Sequence, residues 1–302
     1  MMRMQVPLGA LLFVLTMGCD RQADSVRDTV RSVRDTVHLK DAQINYEVAG
    51  SGKSVVLIHG WANNLRAWDD QFISLSDSFQ VIRYDRRGFG RSTALPDITA
   101  DPADLRDLLD TLGLSTAYLV GHSAGTEVAL GFALAYPQRV AGIVLYGPGP
   151  LPGFDARPEE VGAFGDMPAI ARRHGLDSLL KLLMMTPGFR LPPDRSDVAE
   201  RIEEIWSAYS GRDLLEEYEL SNRVPLPHMD QLKDVRAPTL ILVGDEEWPL
   251  IARVSDSLLA RIPGAKKVVV PGGGHIVHML EPARFNAAVR AFLSDAGRAL
   301  SR

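Results

Sequence analysis

Gly121-His122-Ser123-Ala124-Gly125 stands between an apolar run, Ala117-Tyr118-Leu119-Val120, and a helical pattern over residues 126–136. A G-x-S-x-G pentapeptide in that position forces its serine onto a sharp, strained turn between strand and helix. Glycines are required on either side because side chains there would collide with the neighbouring strand and helix. The bare pattern is weakly specific in a chain with 26 glycines among 302 residues, so its weight comes from its surroundings.

On both sides of this turn, strand and helix signals alternate. Residues 44–48 alternate polar and apolar, Gly50-Ser51-Gly52 makes a turn, and residues 54–58 are a continuous apolar run suited to a strand buried on both faces. Helical spacing over 65–75 and a strand over 80–84 follow. Asp101-Pro102 opens a helix as N-cap and first helical residue, with Leu105, Leu108, Leu109 and Leu112 on one stripe and Gly113 at its end. A strand over 140–146 comes next, and the alternation resumes with 239–243, 251–262, 266–270 and 283–293. Such alternation predicts an α/β fold, a mostly parallel sheet covered by helices on both faces. It lapses over 149–235, where 176–185 and 198–209 read as helices and no strand is evident. An insertion of that size just beyond a strand's C-terminal end reads as a helical cap over a site.

The whole-chain numbers exclude several classes. Hydrophobic content of 46% and charged content of 24% are ordinary for a globular chain. The net charge of -5 comes from 33 basic and 38 acidic residues that are mixed along the sequence, so no nucleic-acid partner is expected. Cys19 is the single cysteine, which excludes an intrachain disulfide. No His, Cys and carboxylate group has metal-ligand spacing, and neither metal nor cofactor is expected.

The first residues read as an export signal. Arg3 precedes an apolar stretch over 6–17, too short to span a bilayer and suited to a signal peptide over 1–18. Leu15-Thr16-Met17-Gly18-Cys19 resembles a bacterial lipobox, with Thr16 where Leu is usual; cleavage after Gly18 without lipid is the alternative. Either reading exports the protein to the cell envelope or beyond, with membrane contact only through a lipid on Cys19. Residues 19–36 then read as a tether. A tandem heptad there places Val26, Val30, Val33 and Val37 at helical spacing, but two heptads are too few for a coiled coil.

A serine nucleophile needs a histidine base, itself oriented by an acid. His275 is the best-placed of seven histidines, following the 266–270 strand through Pro271-Gly272-Gly273-Gly274 at the sheet's C-terminal edge. His278 is its nearest competitor; His59 and His122 sit at strand ends, and His38, His174 and His228 have no special placement. After the 239–243 strand come Gly244-Asp245-Glu246-Glu247, so three carboxylates compete for the third role. The strand ending at Tyr146 is followed by Gly147-Pro148-Gly149-Pro150, which contains no acid.

Leu57-Ile58-His59-Gly60-Trp61, the run from Tyr84 through Asp85-Arg86-Arg87-Gly88-Phe89-Gly90-Arg91 to Ser92, the Ser123 turn, Leu242-Val243-Gly244-Asp245-Glu246-Glu247 and Pro271-Gly272-Gly273-Gly274-His275 together resemble the α/β-hydrolase superfamily, in its group with an inserted helical cap. The resemblance covers residues 37–300, and the order Ser, acid, His matches as well. It implies an eight-stranded sheet, with the core at 37–148 and 236–302 and the cap at 149–235. It further implies Ser123 as nucleophile, His275 as base and Glu247 as acid, where most relatives have Asp, with Asp245 as the rival. The backbone N–H groups of Trp61 and Ala124 would form the oxyanion hole. Asp85 would tie its loop to the sheet. Leu179, Leu180, Leu182, Leu183, Met184 and Met185 fit either an acyl pocket or the cap's own core.

The implied reaction is cofactor-free hydrolysis of a carboxylic ester or lactone of small or medium size. Amide cleavage of the iminopeptidase kind and perhydrolysis use the same residues. Serine at position 123 argues against relatives with aspartate there, such as haloalkane dehalogenases and epoxide hydrolases. Two readings from other classes stand beside it: a C–C bond hydrolase or lyase, and a non-catalytic envelope lipoprotein.

Overall fold

The computed structural model describes residues 31–160 and 166–299 of the chain. Its frame is one eight-stranded sheet: β1 (Ser32–His38), β2 (Gln43–Ala49), β3 (Ser54–Ile58), β4 (Gln80–Tyr84), β5 (Ala117–His122), β6 (Val140–Tyr146), β7 (Thr239–Gly244) and β8 (Lys266–Val270). The spatial order is β1-β2-β4-β3-β5-β6-β7-β8. β2 runs antiparallel to both β1 and β4, and every other pairing is parallel. The continuously apolar segments become the middle of the sheet, where β3, β5 and β7 are buried along their whole length.

Helices α1 (Asp69–Leu75), α2 (Asp101–Thr111), α3 (Ala124–Ala135), α8 (Pro249–Arg261), α9 (Val277–Leu280) and α10 (Pro282–Ala299) belong to the same unit as the sheet, and the longer ones cover its two faces. One face packs the leucine stripe of α2 with Val128, Leu130 and Phe132 of α3 and Val254 and Leu258 of α8. The opposite face packs Trp68, Phe72 and Leu75 with Phe285, Val289 and Leu293 of α10. Asp101 does not cap α2. Ala100 holds that place, and Asp101 is the first helical residue with its carboxylate turned inward onto Arg86.

The tether reading fails for residues 32–36, which are part of β1. Valines four apart share a face in a strand as they do in a helix, so the spacing did not discriminate, and β-branched side chains favour the extended state. The register Val37↔Ile44 buries Val37, whereas Val33 stays 64% exposed at the sheet's edge. Residues 19–30 of the tether, Cys19 among them, and the signal peptide lie outside the described residues, as do 161–165 of the cap and 300–302.

Between β6 and β7 the chain forms α4 (Met167–His174), α5 (Leu176–Met184), α6 (Ser196–Ser207) and the short α7 (Arg212–Leu215). They have a small core of their own, in which Leu179, Leu180, Val198, Ile202 and Ile205 pack down on Phe89, Ile276 and Met279. Residues 229–235, read as the end of the cap, pack instead with the sheet through Met229, Leu232 and Val235. No helix of the described residues is long and apolar enough to cross a membrane.

Candidate active site

Ser123 sits between β5 and α3 with φ 52° and ψ -122°, the strained conformation its motif demands. The turn is locked from several directions. Ser123 N–H donates to Tyr146 O (2.9 Å), and the Thr126 hydroxyl donates to Ser123 O (2.6 Å). A Cβ on Gly121 would lie 2.3 Å from Gly125 O, and one on Gly125 would lie 2.3 Å from Ile58 O. Both glycines are therefore steric requirements of close backbone approach.

His275 arrives on the loop after β8. Its Nδ1 lies 3.0 Å from Glu247 Oε2, and both side chains are buried. An ionised carboxylate only accepts, so Nδ1 carries the proton and Nε2 is left as the acceptor. Glu247 Oε1 in turn accepts from Trp248 N–H (3.0 Å). Asp245 is engaged elsewhere: its Oδ1 accepts from Gly272 N–H (2.9 Å) and Gly273 N–H (3.1 Å), pinning the glycine-rich turn that delivers His275. Gly147 passes so close that a Cβ would lie 3.0 Å from His275 Nδ1.

Ser123 and His275 face the same cavity of about 140 Å³, lined also by Trp61, Asn63, His122, Met167, Leu183, Phe189, Trp206 and Trp248. No hydrogen bond joins Ser123 Oγ to His275 among the described residues; they meet only as walls of this space. Of the cap residues read as a pocket or a core, Leu183 alone lines the cavity. Leu179 and Leu180 serve the cap's core, and Met185 is 83% exposed. No charged side chain lines the space among the described residues. The N–H groups of Trp61 and Ala124 have no acceptor among the described residues. For Ala124 this follows from its place as the first residue of α3, where amides have no helical partner.

Four other histidines serve the frame, whereas His38 and His174 are exposed. His59 Nε2 accepts from Arg86 N–H (2.9 Å) and its Nδ1 lies 2.8 Å from Gly60 O; burial, helped by Arg86, pushes its pKa down to about 3. His122 Nε2 donates to the backbone carbonyl of His275 (2.9 Å), which supports the His275 loop from below. Burial and the neighbouring His275 and His278 hold His122 neutral. His278 is fully buried behind the site against Trp68 and Tyr146. His228 caps the turn Met229–Asp234.

Asp85 ties its loop down by accepting from Leu65 N–H (2.7 Å), Arg91 N–H (2.9 Å) and Asn45 Nδ2 (2.8 Å). In the same loop, Arg86 pairs with Asp101 and Arg87 with Asp104, both buried against α2. Sequence reasoning missed two contacts from the cap. His275 N–H donates to Gly188 O (2.7 Å), and Trp61 Nε1 donates to Asp213 Oδ2 (2.6 Å). Neither Gly188 nor Asp213 stands in a motif that would have drawn attention to it. Among the described residues no three His, Cys, Asp or Glu side chains gather to hold a metal ion.

A thermophilic esterase from Thermogutta terrifontis superposes with a TM-score of 0.72 at 28% identity, covering 88% of this chain and 99% of that one. RutD of Caulobacter sp. (strain K31), named for carbamate hydrolysis, is 29% identical over 82% of this chain and 92% of its own. The 2-hydroxy-6-oxo-6-phenylhexa-2,4-dienoate hydrolase of Burkholderia cepacia is 27% identical over 85% of this chain and 93% of its own. The model of the α/β hydrolase fold matches residues 53–282, from the start of the parallel sheet past His275, and with that the chain belongs to the α/β hydrolase fold family.

Proposed function

We propose that the protein is a serine hydrolase that cleaves a carboxylic ester or lactone with a short, uncharged acyl part. In this reading Ser123 attacks the carbonyl and His275 Nε2 takes its proton. The alkoxide of the tetrahedral intermediate is held by the Trp61 and Ala124 N–H groups, each worth about 3 kcal/mol in the transition state. His275 then protonates the leaving group and afterwards activates the deacylating water, while Glu247 stabilises the imidazolium.

The observation that carries the reading is the buried Glu247–His275 pair opening onto the same small apolar cavity as the strained Ser123. The cavity also speaks to substrate. A dry space of about 150 Å³ admits benzene, so about 140 Å³ accepts an acyl group of up to about six carbons. The dienoate named for the Burkholderia cepacia relative carries a carboxylate. No cation lines this cavity among the described residues, and an unpaired carboxylate is costly to bury. That favours the ester reading over the C–C one.

The test is a p-nitrophenyl ester panel of graded acyl length together with a fluorophosphonate label. Turnover should peak at or below about six acyl carbons, and both turnover and labelling should vanish in Ser123→Ala. Labelling without turnover of any ester would move the assignment to amide or C–C cleavage; no labelling would favour a binding protein. We further propose that the chain is exported and anchored through a lipid on Cys19.

A further inference from the structure

The loop carrying Trp61 is held unevenly. At one end His59 Nδ1 is bound to Gly60 O (2.8 Å), and at the other Leu65 N–H is bound to Asp85 (2.7 Å). Between them Ala62 has φ 57°, a left-handed conformation that a residue with a Cβ keeps only when its surroundings enforce it. The middle of the loop is gripped by the cap. Asp213 of α7 accepts from Trp61 Nε1 through Oδ2 (2.6 Å) and from the Tyr209 hydroxyl through Oδ1 (2.6 Å). The Trp61 and Tyr209 rings meet edge to face at 5.1 Å, and Tyr209 stacks on Phe89 at 6.1 Å. Both donors to Asp213 are neutral and aromatic, so each bond gains from the charge on the acceptor.

We propose that Asp213 is a positioning residue for the reaction: by clamping the Trp61 indole it keeps the Trp61 backbone N–H aimed at the oxygen of the tetrahedral intermediate. The cap thereby completes the oxyanion hole as well as walling the cavity. The proposal deepens the ester-hydrolase reading and rests on the Trp61 N–H being an oxyanion donor.

The experiment compares the full chain with Asp213→Ala, Asp213→Asn, Trp61→Phe and the Asp213→Ala/Trp61→Phe double variant on p-nitrophenyl butyrate. Losing the clamp should lower kcat about tenfold in Asp213→Ala and in Trp61→Phe, with KM changed less than about twofold. The double variant should be no worse than either single one, because both remove the same bond. Affinity for an alkyl trifluoromethyl ketone, which forms the tetrahedral adduct, should fall in parallel with kcat/KM. Asn at 213 retains one acceptor oxygen but faces its second donor with an NH₂, so it should give a smaller loss and serves if the alanine variant fails to fold. Unchanged kcat in folded Asp213 variants, additive losses, or a kcat loss without weaker ketone binding would overturn the proposal. A wild-type protein without Ser123-dependent ester turnover would sink the parent reading and this one with it; an active wild type with indifferent Asp213 variants sinks this one alone.

Discussion

Two acids two residues apart have different work, and only their partners reveal it. Glu247 meets His275, whereas Asp245 holds the Gly272–Gly273 amides. Glu247→Gln should lower kcat by about 10³–10⁴, because the amide cannot hold the required imidazole tautomer or balance the imidazolium. Asp245→Asn keeps an acceptor oxygen and should cost at most about tenfold, through a looser turn; steady-state kinetics on the same ester ranks them. Glu127, one turn along α3, carries a different consequence. Burial pushes its carboxyl up from 4.5 to about 7. A folded-state value above the unfolded one means ionisation opposes folding, with no cost below pH 4.5 and the full cost above about 7. Glu127→Gln should therefore stabilise the protein by about 1–2 kcal/mol at pH 8 and by nothing near pH 4.5. Urea unfolding at the two pH values checks this.

At the scale of elements, what was legible in the chain was what periodicity and chain geometry dictate. Strands β3, β5 and β7 were readable because a strand buried on both faces must be continuously apolar. The Ser123 turn was readable because its two glycines have no steric alternative. β1 was not: its valines fit two periods, and only the open edge of β2, across the Leu39–Ala42 turn, decides between them. Asp101 was misread for a related reason, since a cap and a buried ion pair both place an acid at a helix start. The cap's grip on Trp61 and His275 had no signal, as those contacts join positions 152 and 87 residues apart. β1 itself invites a deletion. Relative to a chain starting at Ser32, one starting after His38 exposes the β2 edge and the buried Glu47–Arg83 pair. The second truncation should cost about 2 kcal/mol or more by chemical denaturation, from the lost packing of Val37 and lost strand pairing.

Across the whole molecule, the rim that carries Ser123 and His275 lies at one end of the sheet. If Cys19 is acylated in cells, labelled palmitate should be incorporated and should vanish in Cys19→Ser, with the variant released in soluble form. Sheet polarity sets where the chain before β1 enters the fold. Ser32, the start of β1, pairs with Ala49, which lies across from Val81 near the beginning of β4. Ser123 and His275 follow the opposite ends of their strands. The chain that precedes Ser32 thus enters the fold at the pole opposite the cavity. An anchor on Cys19 would therefore reach the fold from the face remote from the substrate's entrance, leaving that entrance unobstructed by the attachment.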